Sequence, residues 1–201
     1  MHKIELAVES DIPDLISFFK QVYRDGHIMA EKEYLDWQYL NAPSNILFPE
    51  YPNLLLKNSD GIVGHLGMIP YHFNAPGKSA NCAFLASLIV KNELRSHGAG
   101  VMLAREAEKY FDILYTTGFS PPTQPVLKLC NWQSARDMIR WVCDCKKALA
   151  PADDGSVILV SRFGGEWDQY WHKTGKYFGV TIDRSASYLN WRFCDNPKIK
   201  Y

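Results

Sequence analysis

An apolar run followed by a glycine-containing turn is the feature that most constrains how this chain can fold. Residues 82–90 are apolar except for Ser87, and such a run is typical of a buried strand. The segment Arg95-Ser96-His97-Gly98-Ala99-Gly100 comes shortly after it, and residues 98–110 then carry apolar side chains at helical spacing. A strand, a turn and an amphipathic helix in this order predict a layered fold in which the helix packs on a sheet.

The chain around this unit alternates between strand and helix patterns. We predict strands over residues 3–7, 53–57, 62–73, 81–90, 111–117 and 138–146. We predict helices over residues 11–23, 31–40, 98–110 and 121–129. The turn at residues 58–61 (NSDG) joins two of the strands as an antiparallel hairpin. This order predicts an α/β (α+β) fold, with a mixed and mostly antiparallel sheet flanked by helices.

Composition excludes several classes of protein. Lys and Arg together number 22, as do Asp and Glu, and a net charge of zero does not suit a nucleic-acid-binding surface. No apolar run approaches the roughly 18 residues of a membrane span, and residues 1–5 (MHKIE) lack the pattern of a signal peptide. The 5 cysteines cannot all pair, and they do not form two pairs at zinc-ligand spacing. We therefore expect a cytoplasmic protein with reduced thiols, no metal, no nucleic acid and no membrane span.

The spacing Arg95-x-x-Gly98-x-Gly100 between a strand and a helix suits the binding of a phosphate group. The first amides of a helix lack internal partners and lie at the positive end of its dipole, and glycine lets an anion approach them. Arg95 adds a permanent positive charge. Leu103 stands where a dinucleotide fingerprint needs a small residue, so that motif is not formed. The alternative is a turn in which the glycines only shape the start of the helix and Arg95 is solvated.

With this motif in place, residues 3–146 resemble the GNAT superfamily of acyl-CoA-dependent N-acetyltransferases. The resemblance rests on the order of the elements and on residues 9–15 (ESDIPDL), which open the first helix. It also rests on residues 88–90 (LIV) before the 95–100 motif, and on residues 126–132 (VLKLCNW) after the last helix.

The resemblance implies acetyl-CoA as co-substrate, a small-molecule amine as acceptor, and direct attack of the amine on the thioester without an acyl-enzyme. By position, backbone groups of Leu88, Ile89 and Val90 would hold the pantetheine arm and polarise the thioester carbonyl. Backbone amides of a second set would cradle the pyrophosphate: Arg95, Ser96, His97, Gly98, Ala99 and Gly100. A looser resemblance to tandem GNAT-like proteins of bacterial surface-polysaccharide pathways suggests an amino sugar as the acceptor.

Two positions depart from the family pattern and leave the general acid and base open. The tyrosine with which many members protonate the leaving thiolate falls on Leu127, and a nearby asparagine falls on Ser120. Tyr115 is the nearest tyrosine and our candidate acid; the alternative is a strand aromatic packed in the core. His65, or else His72, is our candidate base, and the alternative for each is a hydrogen-bonded structural histidine.

A repeat extends the pattern beyond the GNAT-like region. Residues 34–43 (YLDWQYLNAP) and 188–197 (YLNWRFCDNP) share Tyr, Leu, Trp and Pro at an offset of 154. At the same offset, the predicted counterpart of the first strand is residues 157–161, and that of the first helix is residues 165–175. We therefore expect a GNAT-like domain over residues 1–147 and a linker over residues 148–156. Residues 157–201 would form an incomplete second GNAT-like repeat or a C-terminal extension.

Three functions from different classes remain. The first is an acetyl-CoA-dependent N-acetyltransferase that acts on a small amine. The second is a non-catalytic acyl-CoA-binding half with a sensing or scaffolding role, which Leu127 favours, and the third is an α/β interaction domain with no coenzyme. Expected partners are the amine acceptor and either a second GNAT-like half or a homodimer.

Overall fold

The computed structural model describes residues 2–45, 48, 50–75, 78–135 and 160–200. The strand predicted over residues 138–146, the linker and most of the strand predicted over residues 157–161 lie outside the described residues. The division into domains therefore stays a prediction, as do the cytoplasmic location and a homodimer.

A six-stranded sheet forms the centre of the molecule. Its strands are β1 (Lys3–Leu6), β2 (Asn53–Asn58), β3 (Gly61–Ala75), β4 (Lys78–Val90), β5 (Ile113–Tyr115) and β6 (Thr181–Ile182). The order is β1-β2-β3-β4-β5, and β6 pairs with the far end of β3. The β4–β5 pair is parallel and all the others are antiparallel, which confirms the predicted fold class.

Six α-helices surround the sheet in the described part of the chain. They are α1 (Ile12–Val22), α2 (Lys32–Leu35), α3 (Ala99–Ala107), α4 (Thr123–Leu129), α5 (Gly165–Thr174) and α6 (Ala186–Leu189). Helix α1 forms where the sequence predicts it, because Ile12, Leu15 and Phe19 recur at helical spacing and all three are buried. Residues 92–97, expected as loop, form a 3₁₀ helix before α3.

The sheet separates two apolar cores. Leu54 and Leu56 of β2 pack into the core beneath α3, and Leu55 between them packs into the core beneath α1. Successive side chains of a strand point to opposite faces, so a continuous apolar run is what a strand buried on both faces requires. Leu103 of α3 and Phe19 of α1 close the two cores, and each is fully buried.

The two repeated segments adopt the same local structure. Helix α2 continues into a π-helical turn, Asp36–Leu40, and α6 continues into a π-helical turn, Asn190–Cys194. Every boundary of the second unit stands 154 residues after its counterpart, as the sequence repeat requires. An equivalent hydrogen bond closes each π-helical turn. The Asn41 amide donates to the Asp36 carbonyl at 2.9 Å, and the Asp195 amide donates to the Asn190 carbonyl at 2.8 Å.

The C-terminal segment packs on the rest of the chain through β6 and α6. Strand β6 pairs with Phe73 and Asn74 of β3, and the Asp183 amide donates to the His72 carbonyl at 2.9 Å. Lys198 forms an ion pair with Glu31 just before α2. These contacts place α6 beside α2, over the same face of the sheet as α1.

Candidate active site

A bulge in β4 lies at the centre of the candidate site. The pairing of β3 with β4 shifts between His65, opposite Ile89, and Gly67, opposite Ala86. Ser87 takes up the extra residue with a φ of 54°, a left-handed conformation that few side chains adopt. The bulge redirects the last residues of β4 relative to the rest of the strand.

Strand β5 separates from β4 next to this bulge. Its last ladder pair is Phe84 with Tyr115, and the Thr116 hydroxyl then donates to the Leu85 carbonyl at 3.0 Å. In the described part of the chain, no strand pairs with β4 on that side from the bulge to Val90. Backbone N–H and C=O groups at such an open edge can pair with the amides of an extended ligand.

A narrow cavity of about 270 Å³ begins at this opening. Leu88 and Ile89, two of the predicted coenzyme residues, lie on its wall beside Ser87. The opposite wall comes from α3, from α4 and from the segment between β5 and α4, with Ala104 of α3 and Leu127 of α4 as apolar members. The hydroxyl-bearing residues on this wall are Thr116, Ser120 and Thr123. Most of the cavity surface is apolar, and the cavity therefore suits a slender arm with a few amide groups.

The Arg95–Gly100 segment follows at the end of β4 as a 3₁₀ helix and the first turn of α3. Gly98 joins the two helices with a φ of 75°, and no atom lies within 4 Å of where its Cβ would be. The first helical bond of α3 comes from the Met102 amide, which donates to the Gly98 carbonyl at 3.0 Å. The amides of Ala99, Gly100 and Val101 precede this bond and have no partner within the helix. Free amides, open space and an exposed arginine fit an anionic group.

Gly100 and Arg95 also contact other parts of the protein. A Cβ on Gly100 would stand 3.4 Å from Val126 of α4, an ordinary van der Waals contact. The Arg95 Nε donates to the Val90 carbonyl at 3.3 Å, which places the guanidinium at the end of β4. The amides of Arg95, Ser96 and His97 belong to the 3₁₀ helix, so the free amides begin at the turn after them.

A second and larger cavity, of about 490 Å³, opens on the α1 side of the sheet. Seven aromatic side chains line it, among them Tyr71 and Phe84 from the sheet and Tyr188 from the C-terminal segment. Its size lies in the range of small-molecule sites. Ser87 lines both this cavity and the narrow one, so the two cavities meet at the bulge.

Tyr115 stands at the junction of the two cavities. Its side chain lines the aromatic cavity, and the next residue, Thr116, lines the narrow one. The ring contacts Phe84 at 5.3 Å and Tyr71 at 6.1 Å between centroids. No hydrogen bond to its hydroxyl forms within the described ranges. Burial raises the pKa of Tyr115, so the hydroxyl keeps its proton throughout the neutral range.

His65 lies inside the sheet and outside both cavities. Its exposed fraction is 0%, its Nδ1 donates to the Ser87 carbonyl at 2.9 Å, and its Nε2 accepts from the Asn53 amide at 2.8 Å. Burial lowers the pKa of the ring to about 4. Neither nitrogen is free to take a proton from an acceptor amine. This geometry disfavours the base role expected of His65 and favours the alternative, a structural histidine that holds the bulge. His72 is exposed on β3.

Sequence reasoning missed four of the residues that this site brings together. Ser87 was noted only as an interruption of an apolar run, and Tyr188, Trp191 and Arg192 only as part of a repeat. The repeat was the one signal in the sequence that pointed to these C-terminal residues. Its first copy, residues 34–43, forms helical structure beside the sheet, and the second copy could be expected to do the same. It could not show that the second copy would line the same cavity.

Metal-binding clusters and membrane-spanning helices are both absent from the described residues. No group of three or more His, Cys, Asp or Glu side chains could hold a metal ion there. Cys82, Cys130 and Cys194 are free thiols, and Cys143 and Cys145 lie outside the described residues. No helix in these ranges has the length and apolar character that crossing a membrane requires.

Solved structures share this fold at low sequence identity. AAC(6′)-Iy, in complex with the bisubstrate analogue CoA-S-monomethyl-acetylneamine, aligns with a TM-score of 0.53 and 13% identity over 72% of this chain and 99% of that one. Glucosamine-6-phosphate N-acetyltransferase from Arabidopsis thaliana aligns with a TM-score of 0.52 and 11% identity, over 72% of this chain and 99% of that one. A predicted acetyltransferase from Clostridium acetobutylicum, solved with acetyl-CoA, aligns with a TM-score of 0.51 and 15% identity, over 71% of this chain and 96% of that one.

The search of curated proteins found no match to this sequence. The model of the acetyltransferase (GNAT) family, however, matches residues 12–114, which is more than half of the 201 residues. The match begins at α1, includes the bulge and the Arg95–Gly100 turn, and ends within β5. With the sheet order, the separation of β5 from β4 and the glycine turn before α3, it shows that this chain belongs to the acetyltransferase (GNAT) family.

Proposed function

We propose that this chain transfers an acetyl group from acetyl-CoA to the nitrogen of a small amine. The observation that carries the proposal is the meeting of two cavities at Ser87, one narrow and bordered by the open edge of β4, the other wide and aromatic. A group-transfer site must bring two substrates together at one point. Acetyl-CoA would supply a thioester there, whose C–S bond breaks as the acceptor nitrogen bonds to the acyl carbon, releasing the amide and CoA thiol.

The open edge of β4 would bind and orient the thioester. Leu88 and Ile89 line the narrow cavity, and no strand in the described part of the chain pairs with residues 88–90 on the β5 side. An amide N–H fixed in this position can donate to the carbonyl oxygen, where negative charge develops during attack. The rigid bulge, held by His65, keeps these amides in place before the substrate arrives.

The turn after β4 would bind the pyrophosphate. The free amides at the start of α3 and the exposed guanidinium of Arg95 supply donors and positive charge at one place. Of the six predicted residues, Arg95 would act through its side chain, and Gly98, Ala99 and Gly100 would act through the turn and its amides. Ser96 and His97, both exposed in the 3₁₀ helix, would lie beside the bound phosphates.

Tyr115 would protonate the departing sulfur. It lines the aromatic cavity beside Ser87, and its hydroxyl keeps its proton because burial raises its pKa. Leu127 lines the narrow cavity at the position of the usual family tyrosine and has no proton to give. The proton that the acceptor nitrogen loses would pass to solvent, because no carboxylate among the described residues lines the cavity.

A small amine suits the dimensions and aromatic lining of the wide cavity, and an amino sugar is the first acceptor to test. Two of the similar structures are named for such compounds, acetylneamine and glucosamine 6-phosphate. Sugar rings commonly stack on aromatic side chains through their apolar faces. The second candidate function, acyl-CoA binding without transfer, is favoured by Leu127 alone.

Calorimetric titration with acetyl-CoA tests the binding half of the proposal. Wild type should bind, Arg95→Gln should bind about tenfold more weakly because a charge-assisted contact is lost, and Lys20→Gln should bind as wild type does. Lys20 is the matched control, since it is an exposed cation on α1 outside both cavities. Failure of wild type to bind would overturn both candidate functions.

Release of CoA thiol with a panel of amines then separates the two functions. Amine-dependent release with formation of an N-acetyl product supports the transferase. Tight binding of acetyl-CoA without release by any amine in the panel supports the non-catalytic alternative.

A further inference from the structure

One wall of the aromatic cavity is built from two copies of the same pattern. The three positions involved are a tyrosine, a tryptophan and a third residue that differs between the copies. They are Tyr34, Trp37 and Gln38 in the first copy and Tyr188, Trp191 and Arg192 in the second. The two tryptophan rings stack with centroids 5.2 Å apart, so the copies meet around a local pseudo-twofold axis. The cavity wall is therefore close to symmetric in shape but not in charge.

Arg192 is the source of that asymmetry. Its counterpart, Gln38, is neutral and buried, whereas Arg192 is half-buried and carries a permanent charge. Among the described residues, no Asp, Glu or Lys lines the cavity. His27 lies on the lining too, but burial and the nearby charge of Arg24 lower its pKa, so it is neutral at pH 7. Arg192 is therefore the one permanently charged side chain on the described lining of the cavity.

The guanidinium of Arg192 has no partner of opposite charge. Arg105 and Arg162 pair with carboxylates at 2.9 Å and 2.6 Å, but no such ion pair forms at Arg192 in the described ranges. Its charge acts on the cavity instead. Burial raises the pKa of Tyr71 and of Tyr188, and the charge of Arg192 opposes that rise in both. A half-buried cation without an anion is costly, and a ligand that supplies the anion removes that cost.

We propose that the acceptor is a small amine that carries an oxyanion, a carboxylate or a phosphate, and that Arg192 binds this group as the specificity-determining residue. The aromatic side chains would hold the body of the acceptor, with its nitrogen at Ser87 and Tyr115 and its anion at α6. Because the described part of the lining has no carboxylate, Arg192 would repel an acceptor with a second ammonium group. This inference rests on the proposed transfer function and names its substrate class.

Matched pairs of amines test the proposal. Glucosamine 6-phosphate against glucosamine probes the phosphate, and tyrosine against tyramine probes the carboxylate; each pair differs only in the anionic group. Calorimetry is done on the full chain saturated with CoA, so that binding is read without turnover. We expect the anionic member of at least one pair to bind tenfold or more tightly. The pair that shows the preference identifies the oxyanion.

Arg192→Gln, which copies the residue at the equivalent position in the first repeat, should abolish this preference. It should raise the Kd or KM of the anionic amine about tenfold or more and leave the neutral amine and kcat nearly unchanged. Arg192→Lys should restore part of the preference. The matched control is Lys173→Gln, because Lys173 is an exposed cation on α5 of the same segment and does not line the cavity.

Three results would overturn the inference while leaving the proposed function intact. The first is equal binding of both members of each pair, including the case in which none of the four amines binds to the CoA complex. The second is an equal loss for anionic and neutral amines in Arg192→Gln. The third is the same loss in the Lys173 control. Failure of acetyl-CoA to bind wild type contradicts the proposed function itself, and the titration of the coenzyme shows that separately.

Discussion

Trp37 and Trp191 donate to each other's backbone. The Nε1 of Trp37 bonds to the Trp191 carbonyl at 2.7 Å, and the Nε1 of Trp191 bonds to the Trp37 carbonyl at 2.7 Å. Both side chains are only 4% exposed. The reciprocal pair of bonds joins the two repeated segments across the pseudo-twofold axis. It gives a hydrogen-bond donor to one backbone carbonyl group in each π-helical turn. Together with the pairing of β6 and the Lys198 ion pair, these two bonds hold the C-terminal segment beside the aromatic cavity.

Removing one of these bonds should destabilise the protein. Trp191→Phe keeps an aromatic ring but leaves the Trp37 carbonyl buried without its donor, and we expect a loss of about 2 kcal/mol in the free energy of unfolding. Urea denaturation measures it. Trp167→Phe is the control, because Trp167 makes the same kind of bond, to the Arg184 carbonyl at 2.7 Å, at an exposed site. Equal losses in the two variants would contradict a special role for the buried pair.

Burial of His65 should make stability depend on pH. The folded-state pKa of about 4 lies below the reference value of 6.5, so between these values the unfolded chain binds more protons. The contribution is fully present above pH 6.5 and is lost as the pH falls towards 4. From pH 7 to pH 5 we expect a loss of about 2 kcal/mol.

The variant His65→Gln isolates this contribution. Urea denaturation at the two pH values should show a smaller decrease for the variant than for wild type, whereas His72→Gln, at an exposed histidine, should decrease as wild type does. A decrease of the same size in His65→Gln and wild type would show that His65 does not cause it.

Gly67 should tolerate no side chain. A Cβ at this position would stand 2.1 Å from the Tyr39 hydroxyl oxygen and 2.6 Å from the adjoining ring carbon, and Tyr39 is fully buried. Gly67→Ala should therefore cost about 3 kcal/mol or more in the free energy of unfolding. Gly164→Ala serves as the control, since nothing lies within 4 Å of its Cβ. A near-neutral Gly67→Ala would show that Tyr39 moves away easily.

Tyr115→Phe should impair turnover without impairing folding. The ring contacts are kept and the hydroxyl has no partner within the described ranges, so the free energy of unfolding should change by less than about 0.5 kcal/mol. Loss of the proton donor should lower kcat on the order of 10²-fold with little change in KM for acetyl-CoA. Tyr170→Phe, at an exposed tyrosine on α5, is the control. Unchanged kcat in Tyr115→Phe would assign the proton to another group.

The order of helices and strands follows from local sequence, and most predicted boundaries agree with the structure within three residues. Helix α1 and the β2–β3 hairpin show this well, because periodic apolar residues and a polar turn act over short distances. The bulge at Ser87 does not follow from local sequence. Its Ser87 carbonyl accepts a hydrogen bond from His65, 22 residues earlier, and a long-range partner of this kind leaves no periodic signal.

The sequence by itself determined the family, the glycine turn before α3 and the presence of a repeat, since each depends on contiguous residues. Only the tertiary structure decided that His65 is sealed inside the sheet, that Tyr115 stands where two cavities meet, and that Arg192 enters the lining of the larger one. The physical reason is the same for all three. Burial, pKa and charge environment depend on which distant segments pack together, and the packing of α6 against α2 joins residues 154 positions apart.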